Sequence, residues 1–256
     1  MPIPPQDALW NAIAELSQLL LHEESVNTTL QRVAMSAVNL IDVVEEVGVT
    51  VLHDNRPSTD AATGGIVYEV DNFQYEIDQG PCLHALLHGQ PIEIASMRAE
   101  QRWPTYARFA ADREILSSLS IPLHIHAGMT FMDEEIDEPT LERAADQGRI
   151  GVMNLYSRRE GPFDEVERWA ALTFGQQAAV AIYNANTYET ARKLTNDLQA
   201  ALGSRAVIEQ AKGIIMARKG CTPDDAFDQL RSQSQTENRK LRDVAESLVA
   251  DAVDQP

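Results

Sequence analysis

Basic side chains concentrate after position 190, in an otherwise acidic chain. Residues 191–245 contain 10 Lys and Arg against 7 Asp and Glu, whereas residues 1–190 contain 11 against 29, in a chain of formal net charge -18. Clustered positive groups bind phosphates, so this distribution predicts a polyanion partner for the last segment only. The alternative is that a small excess of charge is an ordinary solvated face.

Cys82 is the first candidate for reactive chemistry in the acidic part. It follows Pro81 at the start of a predicted short helix, where the helix dipole lowers a thiol pKa and favours a sensor or an attachment site for a bilin. The alternative is a small buried residue. Cys221 is the only other cysteine. Because the two are far apart and lack metal-ligand spacing, we expect reduced thiols rather than a disulfide or a zinc site.

Four histidines have spacings that suit a metal but lack the rest of a site. His84 and His88 share a helical face, and His124 and His126 share a strand face. No HExxH pattern accompanies them, and surface histidines are the default reading. Neither a Ser/His/Asp order nor a glycine loop for phosphate is present, so the sequence predicts neither a metal site nor an enzyme.

Short strands and helices alternate over the first 190 residues, which predicts an α+β domain with a mostly antiparallel sheet and flanking helices. Apolar periodicity predicts helices at 6–22, 28–44, 103–111, after Pro81 and from Glu165, where Asp164 is the expected cap. β-branched and aromatic runs predict strands at 47–52, 91–94, 116–125 and 151–156. They also predict two strand segments within 66–77, interrupted at Asp71 and Asn72. No signal peptide or apolar run long enough for a membrane span is evident, so we expect a cytoplasmic protein.

Several short words in this part resemble those of a GAF domain. They are DQGPC (78–82), PxEI (91–94), RWP (102–104), SxPL (120–123) and GVMNLYSRREGPFD (151–164). The resemblance covers 8–190 and implies a sensor domain with a pocket for a small ligand of unknown identity, for which Asp78 and Cys82 are the candidate residues. A 124–150 insertion departs from the family. It carries five carboxylates and is expected to be a solvated loop or, alternatively, a helix or a flap.

One long helix, or two joined coaxially, is predicted from Glu165 to about Lys219, because no proline interrupts its apolar residues. Residues 165–203 form the connection between domains. Within the helix, spacings of 4, 3, 4 and 3 match the a and d positions of a short coiled coil, at Leu194, Leu198, Ala201, Arg205 and Ile208. A parallel homodimer is the expected consequence, and a lone helix packed on its own domain is the alternative.

After Ala201 the apolar stripe rotates, which predicts that the helix changes partner and enters a three-helix unit. Gly220 is expected to end it, Thr222 and Pro223 to begin a second helix, and a cap at Thr236 or Asn238 to begin a third. The predicted core side chains are Val207, Ala211, Ile214, Ile215, Ala226, Phe227, Leu230, Leu241, Val244, Ala245 and Leu248.

This all-α unit, 204–250, resembles the ANTAR output domain. The words IEQAKG (208–213), AFDQLR (226–231) and NRKLRDVA (238–245) carry the resemblance. A GAF domain followed by ANTAR is a known arrangement. It implies a transcription antitermination regulator, in which a dimer grips paired hairpin loops of nascent RNA and prevents a terminator from forming.

Positive, amide and hydroxyl side chains of this unit are the candidate RNA contacts: Arg205, Lys212, Gly213, Arg231, Ser234, Asn238, Arg239 and Lys240. Because Phe227 is expected in the core, the sequence predicts no aromatic platform, and recognition would use shape, phosphates and Arg stacking. Two alternatives remain open. One is a DNA-binding regulator that uses the same helices, and the other is a thiol-based GAF enzyme that uses Cys82.

Overall fold

Two compact units make up the chain, Met1–Glu189 and Thr190–Pro256. The computed structural model describes residues 6–19, 25–125, 140–146 and 148–253. Within these ranges no helix is both long enough and apolar enough to cross a membrane.

A five-stranded antiparallel sheet is the centre of the first unit, as predicted. Its spatial order is β2-β1-β5-β4-β3. The strands are β1 (Glu46–His53), β2 (Arg56–Ala62), β3 (Ile92–Ile94), β4 (Ser117–His124) and β5 (Arg149–Ser157). β5 is the central strand, because it pairs with β1 along one edge and with β4 along the other.

Helices pack on the two faces of this sheet. The apolar cluster of one face includes side chains of α1 (Gln6–Leu19), α2 (Val26–Leu40) and the first part of α7 (Glu165–Lys219). The other face is covered by α3 (Gly65–Ile77), α4 (Pro81–His88) and α5 (Pro104–Ala111). A short helix, α6 (Leu141–Asp146), has Leu141 packed on the α4 side of the sheet.

The two strand segments predicted within 66–77 are wrong, because these residues form α3. Its buried face consists of Val67, Val70, Asp71 and Gln74, at helical spacings of 3, 1 and 3. Two of the four are polar, so the apolar residues alone do not show a helical stripe, and the β-branched and aromatic residues suggest a strand instead. Asp71 therefore lies in the middle of a helix rather than at a break between strands.

Other boundaries shift by a few residues. α2 ends at Leu40 rather than near residue 44, and the predicted helix 6–22 is described as far as Leu19. Asp164 caps α7 as expected, since its Oδ1 accepts the backbone N–H of Glu167 at 2.7 Å. Of the 124–150 insertion, residues 126–139 lie outside the described residues, including His126 and the five carboxylates, and 141–146 form α6.

In the second unit, α7 is followed by α8 (Pro223–Glu237) and α9 (Leu241–Val253), as predicted. Gly220 follows α7 with a φ of +64°, a conformation that glycine adopts without strain. Thr222 and Asp225 form a reciprocal capping box at the start of α8. Buried side chains from all three helices form one core: Ala211, Ile215, Ala226, Leu230, Val244 and Ala245.

Two expectations for this unit are wrong. Phe227 is 37% exposed instead of buried, because Ala226 and Leu230 already occupy the inward face and the next residue is rotated by about 100°. Asn238 does not begin the third helix but ends the second, in a left-handed conformation with φ 51°. The carbonyl of Lys240 accepts the first backbone bonds of α9, from Asp243 and Val244.

The predicted coiled-coil positions separate into two groups. Leu194 is 63% exposed and Leu198 is 58% exposed, and Ala201 and Arg205 are exposed as well. Ile208, the last predicted position, packs instead against the three-helix core. The rotation of the apolar stripe is thus present, with an uncovered apolar side before it and a packed side after it.

Candidate functional site

The face of the sheet under α3 and α4 is lined by polar side chains. Strand alternation places Thr50, Ser118, Ser120 and Asn154 on this face, whereas their neighbours Val49, Leu119 and Leu155 enter the apolar cluster of the opposite face. All four polar residues are buried. Thr50 and Asn154 bond side chains of α3, Ser120 donates to Asn154 at 2.8 Å, and the Ser118 hydroxyl has no hydrogen-bond partner among the described residues.

Asp71 of α3 is the centre of this buried network. Its Oδ2 accepts the hydroxyl of Thr59 at 2.8 Å, and its Oδ1 accepts the amide of Asn154 at 3.2 Å and the hydroxyl of Tyr156. Burial raises the pKa of this carboxyl to about 6, and the hydrogen bonds from Tyr156, Thr59 and Asn154 oppose the rise. The carboxyl therefore changes its protonation state near neutral pH while it holds two strands against a helix.

Thr50 and Tyr75 extend the network towards Cys82. The hydroxyl groups of Thr50 and Tyr75 are 2.8 Å apart, and the Cys82 thiol lies 3.3 Å from Thr50 Oγ1. Burial, followed by the nearby Asp71 charge, raises the pKa of Cys82 to about 12. The lowered thiol pKa expected from the helix dipole is therefore wrong, because desolvation exceeds the dipole effect, and the thiol is protonated at neutral pH.

A side chain of α3 accepts a backbone hydrogen bond at the N-terminal end of α4. Gln74 Oε1 accepts the backbone N–H of Cys82 at 3.0 Å, so this amide of the first helical turn is already bonded. Gly80 permits the approach, because a Cβ at that position would lie 2.2 Å from Gln74 Oε1. Asp78, the other candidate for sensing, is exposed and ends α3 with φ 51°, so the structure does not bring its side chain into the buried network with Cys82.

Thr50, Thr59, Asp71 and Asn154 were not expected as site residues. A signal for them exists in the sequence: Ser118, Ser120 and Asn154 alternate with Leu119, Ile121 and Leu155, a pattern that places polar side chains on one face of each strand. The signal was obscured because α3 was predicted as strands, and Asp71 then had no reason to face the sheet.

The two histidines of α4 stack on each other at the surface. The rings of His84 and His88 stack at 3.9 Å, and His84 also meets the edge of Trp103 at 5.4 Å. Partial burial, followed by the charge of His88, lowers the pKa of His84. Among the described residues, no group of three or more His, Cys, Asp or Glu side chains is arranged to hold a metal.

Three of the candidate RNA contacts share one side of α8 or its end. Arg231, Ser234 and Asn238 are spaced by 3 and 4 residues, which places them on one helical face. Arg231 and Asn238 are exposed, and Arg231 has no ion-pair partner in the part of the chain that the structure describes. Ser234 has a structural bond, since its hydroxyl donates to the carbonyl of Arg239 at 2.5 Å.

Arg239 and Lys240 lie in the turn between α8 and α9, and they differ in their hydrogen bonds. The Arg239 guanidinium bonds Glu237 at 3.0 Å, the carbonyl of Asp243 at 3.1 Å and the hydroxyl of Ser247 at 2.7 Å. It therefore holds the start of α9. Lys240 is exposed and has no such bonds to the described residues, so its ammonium is available to a partner.

The remaining candidates lie on α7. Lys212 Nζ bonds Glu209 at 3.0 Å, and its side chain is only 16% exposed. Arg205 is exposed, and no described residue pairs with it. At Gly213 an added Cβ would meet nothing within 4 Å, so the backbone there is open to close approach. Arg205 and Gly213 are thus accessible, whereas Lys212 is largely covered and already paired.

Family comparisons agree with these two units. The model of the GAF domain matches residues 14–182, and the model of the ANTAR domain matches residues 196–249. A comparison with curated proteins gives no significant match.

Solved structures resemble the fold of the first unit at low sequence identity. The GAF domain of a phosphoenolpyruvate-protein phosphotransferase from Coxiella burnetii is 12% identical, with a TM-score of 0.51 over 73% of this chain and 99% of that one. The phytochrome photosensory core module of Stigmatella aurantiaca is 11% identical, with a TM-score of 0.50 over 91% of this chain and 46% of that one. At such identities the likeness shows the fold alone.

Stability should depend on pH through Asp71. Its folded pKa of about 6 exceeds the ordinary value of 3.8, so its contribution is fully present below about pH 4 and is lost as the pH rises through 6. The loss amounts to about 3 kcal/mol, from about 1.4 kcal/mol per pKa unit. Relative to the wild type, Asp71→Asn should therefore become more stable by about that amount between pH 4 and 7, as measured by urea unfolding at each pH.

Asp78→Asn is the matched control, because it removes an exposed carboxyl seven residues away and Asn tolerates the same left-handed backbone. Its stability difference from the wild type should change little over this pH range. An Asp71→Asn difference that is equally flat would contradict a buried titrating carboxyl.

Proposed function

The chain belongs to the GAF family and carries an ANTAR domain after its GAF domain, and on that premise we propose that it is a transcription antitermination regulator. The combination of a sensor domain with an output domain makes it a regulatory, signal-sensing protein. In the proposed mechanism, a homodimer binds paired hairpin loops of nascent RNA through its two ANTAR units. The GAF unit senses a small ligand or a partner and shifts this binding.

The accessible cations of the ANTAR unit are the observation that carries the proposal. Arg231 and Lys240 lie at one side and one end of α8, are exposed and lack ion-pair partners among the described residues. A protein usually pairs or disperses its surface charges, and the rest of this chain is strongly acidic. Cations left accessible against that background favour an anionic partner that arrives from outside.

The RNA contacts proposed on α8 are better suited to hairpin loops than to a regular RNA duplex. The deep major groove of an A-form helix hides its base edges, whereas loop bases are unstacked and accessible. Arg231 can stack its planar guanidinium on such a base, and Asn238 can bond a base edge from the exposed end of α8. Lys240 contributes a mobile charge for phosphate. Shape and loop bases, rather than stem sequence, are therefore the expected basis of recognition.

Exposed apolar side chains on α7 support the homodimer. In the second unit Leu194, Leu198 and Leu202 are each at least 58% exposed, at spacings of four residues. Leu194 and Leu198 are two positions of the predicted coiled-coil seam, and Leu202 follows its third position, Ala201. The first unit also leaves Trp169 and Tyr183 about half exposed on its own part of α7. A second copy in parallel orientation would cover these side chains and present two ANTAR units together.

The buried network around Asp71 is the proposed origin of signal sensitivity in the GAF unit. Asp71 links β2 and β5 to α3, and Cys82 links α4 to β1 through Thr50. A ligand that entered between the sheet and these helices would have to replace several hydrogen bonds. Such an exchange changes the packing of α3 and α4, which is the kind of response that a sensor domain requires.

A DNA-binding regulator remains the second candidate. Only Asn238, Arg239 and Lys240 separate α8 from α9, and Asn238 takes the left-handed conformation that a glycine often supplies in a helix-turn-helix. The turn between α8 and α9 can therefore take a helix-turn-helix conformation without a glycine. Competition between hairpin RNA and duplex DNA for the dimer distinguishes the two, and a preference for the duplex would favour DNA.

We do not propose a thiol-based enzyme. Nucleophilic chemistry requires an accessible thiolate, whereas Cys82 is buried with a raised pKa. Cys221, the only other cysteine, lies in the turn before α8 and has no described catalytic base beside it. Its sulfur lies 3.9 Å from the side-chain amide of Gln229, and its side chain packs against the three-helix core. Unchanged RNA binding and signalling in a Cys82→Ser variant would agree with this view.

Loss of single cations should weaken RNA binding in a salt-dependent way. The probe is a synthetic RNA library with two stem-loops, randomised loops and a short linker, from which the wild-type dimer selects its ligand. With the selected RNA, Arg231→Ala and Lys240→Ala should each weaken binding about tenfold, and Lys240→Ala should reduce the salt slope by about one. Fluorescence anisotropy at several salt concentrations measures both quantities.

Arg56→Ala is the matched control, since it removes one exposed charge from β2 in the first unit. Its affinity should stay within about twofold of the wild type, because all of the proposed RNA contacts belong to the second unit. If the library yields no ligand that binds better than an arbitrary hairpin, RNA recognition by this chain is excluded.

A charge in the proposed seam should separate the dimer. Leu198→Asp places a carboxylate in each copy where two apolar side chains would meet, and we expect dimerisation to weaken by at least about a hundredfold. Analytical ultracentrifugation measures the monomer–dimer equilibrium. The same variant should bind the two-hairpin RNA no better than a single hairpin, because the link between the two ANTAR units is lost.

Asn196→Asp adds the same charge on the opposite side of the same exposed helical segment, two residues away. It should leave the dimer intact. If the Leu198→Asp protein remains dimeric to the same extent, the proposed seam is wrong and another surface must join the copies.

A further inference from the structure

Phe227 is an aromatic side chain that the fold of the ANTAR unit leaves uncovered. It lies in the second turn of α8 beside Ala226, which is fully buried, and one turn before Leu230, which is also fully buried. Ala226 and Leu230 fill the inward face of α8, so the helix packs against its neighbours without the Phe227 ring. At 37% exposure, its ring retains a face that reaches solvent. Its exposed face is a flat apolar surface that a planar partner can cover.

The ring lies on the same side of α8 as the candidate RNA contacts. From Phe227 the spacings to Arg231, Ser234 and Asn238 are 4, 3 and 4 residues, which is one face of a helix. Residues four apart are neighbours on a helix surface, with Cβ atoms about 6 Å apart. Phe227 and Arg231 are therefore neighbours on the surface of α8, and their side chains carry the two kinds of planar group on which unpaired bases stack.

Charge along α8 indicates which part of an RNA would meet the ring. Asp224 and Asp228 are exposed in the first two turns around Phe227, whereas Arg231 and Lys240 lie further along. The acidic end repels phosphates but can accept hydrogen bonds from base amino groups, and the basic end attracts phosphates. An RNA loop would therefore place its backbone towards the turn after α8 and a base towards Phe227.

We infer that Phe227 is a base-stacking residue, which holds one unpaired loop base against its ring beside the guanidinium of Arg231. This inference rests on the RNA-binding function proposed above and adds a specificity residue to it. The partner is a nucleobase rather than an apolar peptide, because the exposed charged side chains of Asp224, Asp228 and Arg231 lie next to the ring on the surface of α8. Discrimination would follow from the stacking area of the base.

Three substitutions at this position separate stacking from simple apolar contact. Leu keeps an apolar side chain without a flat face, Tyr keeps the ring, and Trp supplies a fluorescent ring. With the RNA selected by the wild type, Phe227→Leu should bind about 5- to 150-fold more weakly, the range for losing one stacked base, while Phe227→Tyr should remain within about threefold. The indole emission of Phe227→Trp should change when that RNA saturates the protein.

The dimer mass and helical circular dichroism of each variant verify that the fold is retained, as the exposed position leads us to expect. The inference is overturned if Phe227→Leu binds as tightly as the wild type, or if the Phe227→Trp emission is unaffected by saturating RNA. If Phe227→Leu changes the dimer mass but leaves the RNA affinity unchanged, the ring belongs to a contact between protein copies instead. Absence of any RNA binding by the wild type would remove the proposed function as well, which distinguishes the two failures.

Discussion

Three leucines of α7, Leu194, Leu198 and Leu202, are exposed to solvent, and the proposed dimer depends on them. Within the second unit, the apolar side of the helix faces solvent from Leu194 to Leu202, and from Val207 onwards the apolar side packs against α8 and α9. A single helix thus has two apolar surfaces, and its own chain covers only one of them. The proposed second copy would cover the other. Dimerisation and the three-helix core then use different residues of one helix, so each can be altered without destroying the other.

Inside the first unit, the sheet has two unlike faces. One is an apolar core under α1, α2 and α7, and the other holds a hydrogen-bonded network in which Asp71 bonds to both α3 and the strands. A buried carboxyl lowers stability unless donors surround it, and three donors do so here. A protein selected only for stability gains little from such an arrangement. The network is therefore a reasonable place for a signal to act, through ligand or protonation.

Much of this architecture follows from local patterns in the sequence. The long proline-free run, Gly220 and the Thr222-Pro223 pair predict the helices of the second unit, because capping and chain breaking are local effects. Asp71 and Phe227 could not be placed in this way. Asp71 is buried because hydroxyl and amide groups of strands far away in the sequence donate hydrogen bonds to it. Phe227 is exposed because Ala226 and Leu230 occupy the inward face of α8. Both outcomes depend on tertiary packing, which residue type alone does not reveal.

Binding of paired hairpins of nascent RNA by this chain is tested most directly by sequencing the RNA that the protein retains in cells. Crosslinked RNA recovered with the wild type should be enriched in transcripts that carry two neighbouring stem-loops, the second overlapping a terminator, and the enrichment should be lost with Leu198→Asp. Retained RNA without paired stem-loops, or equal enrichment with the Leu198→Asp variant, would contradict the account.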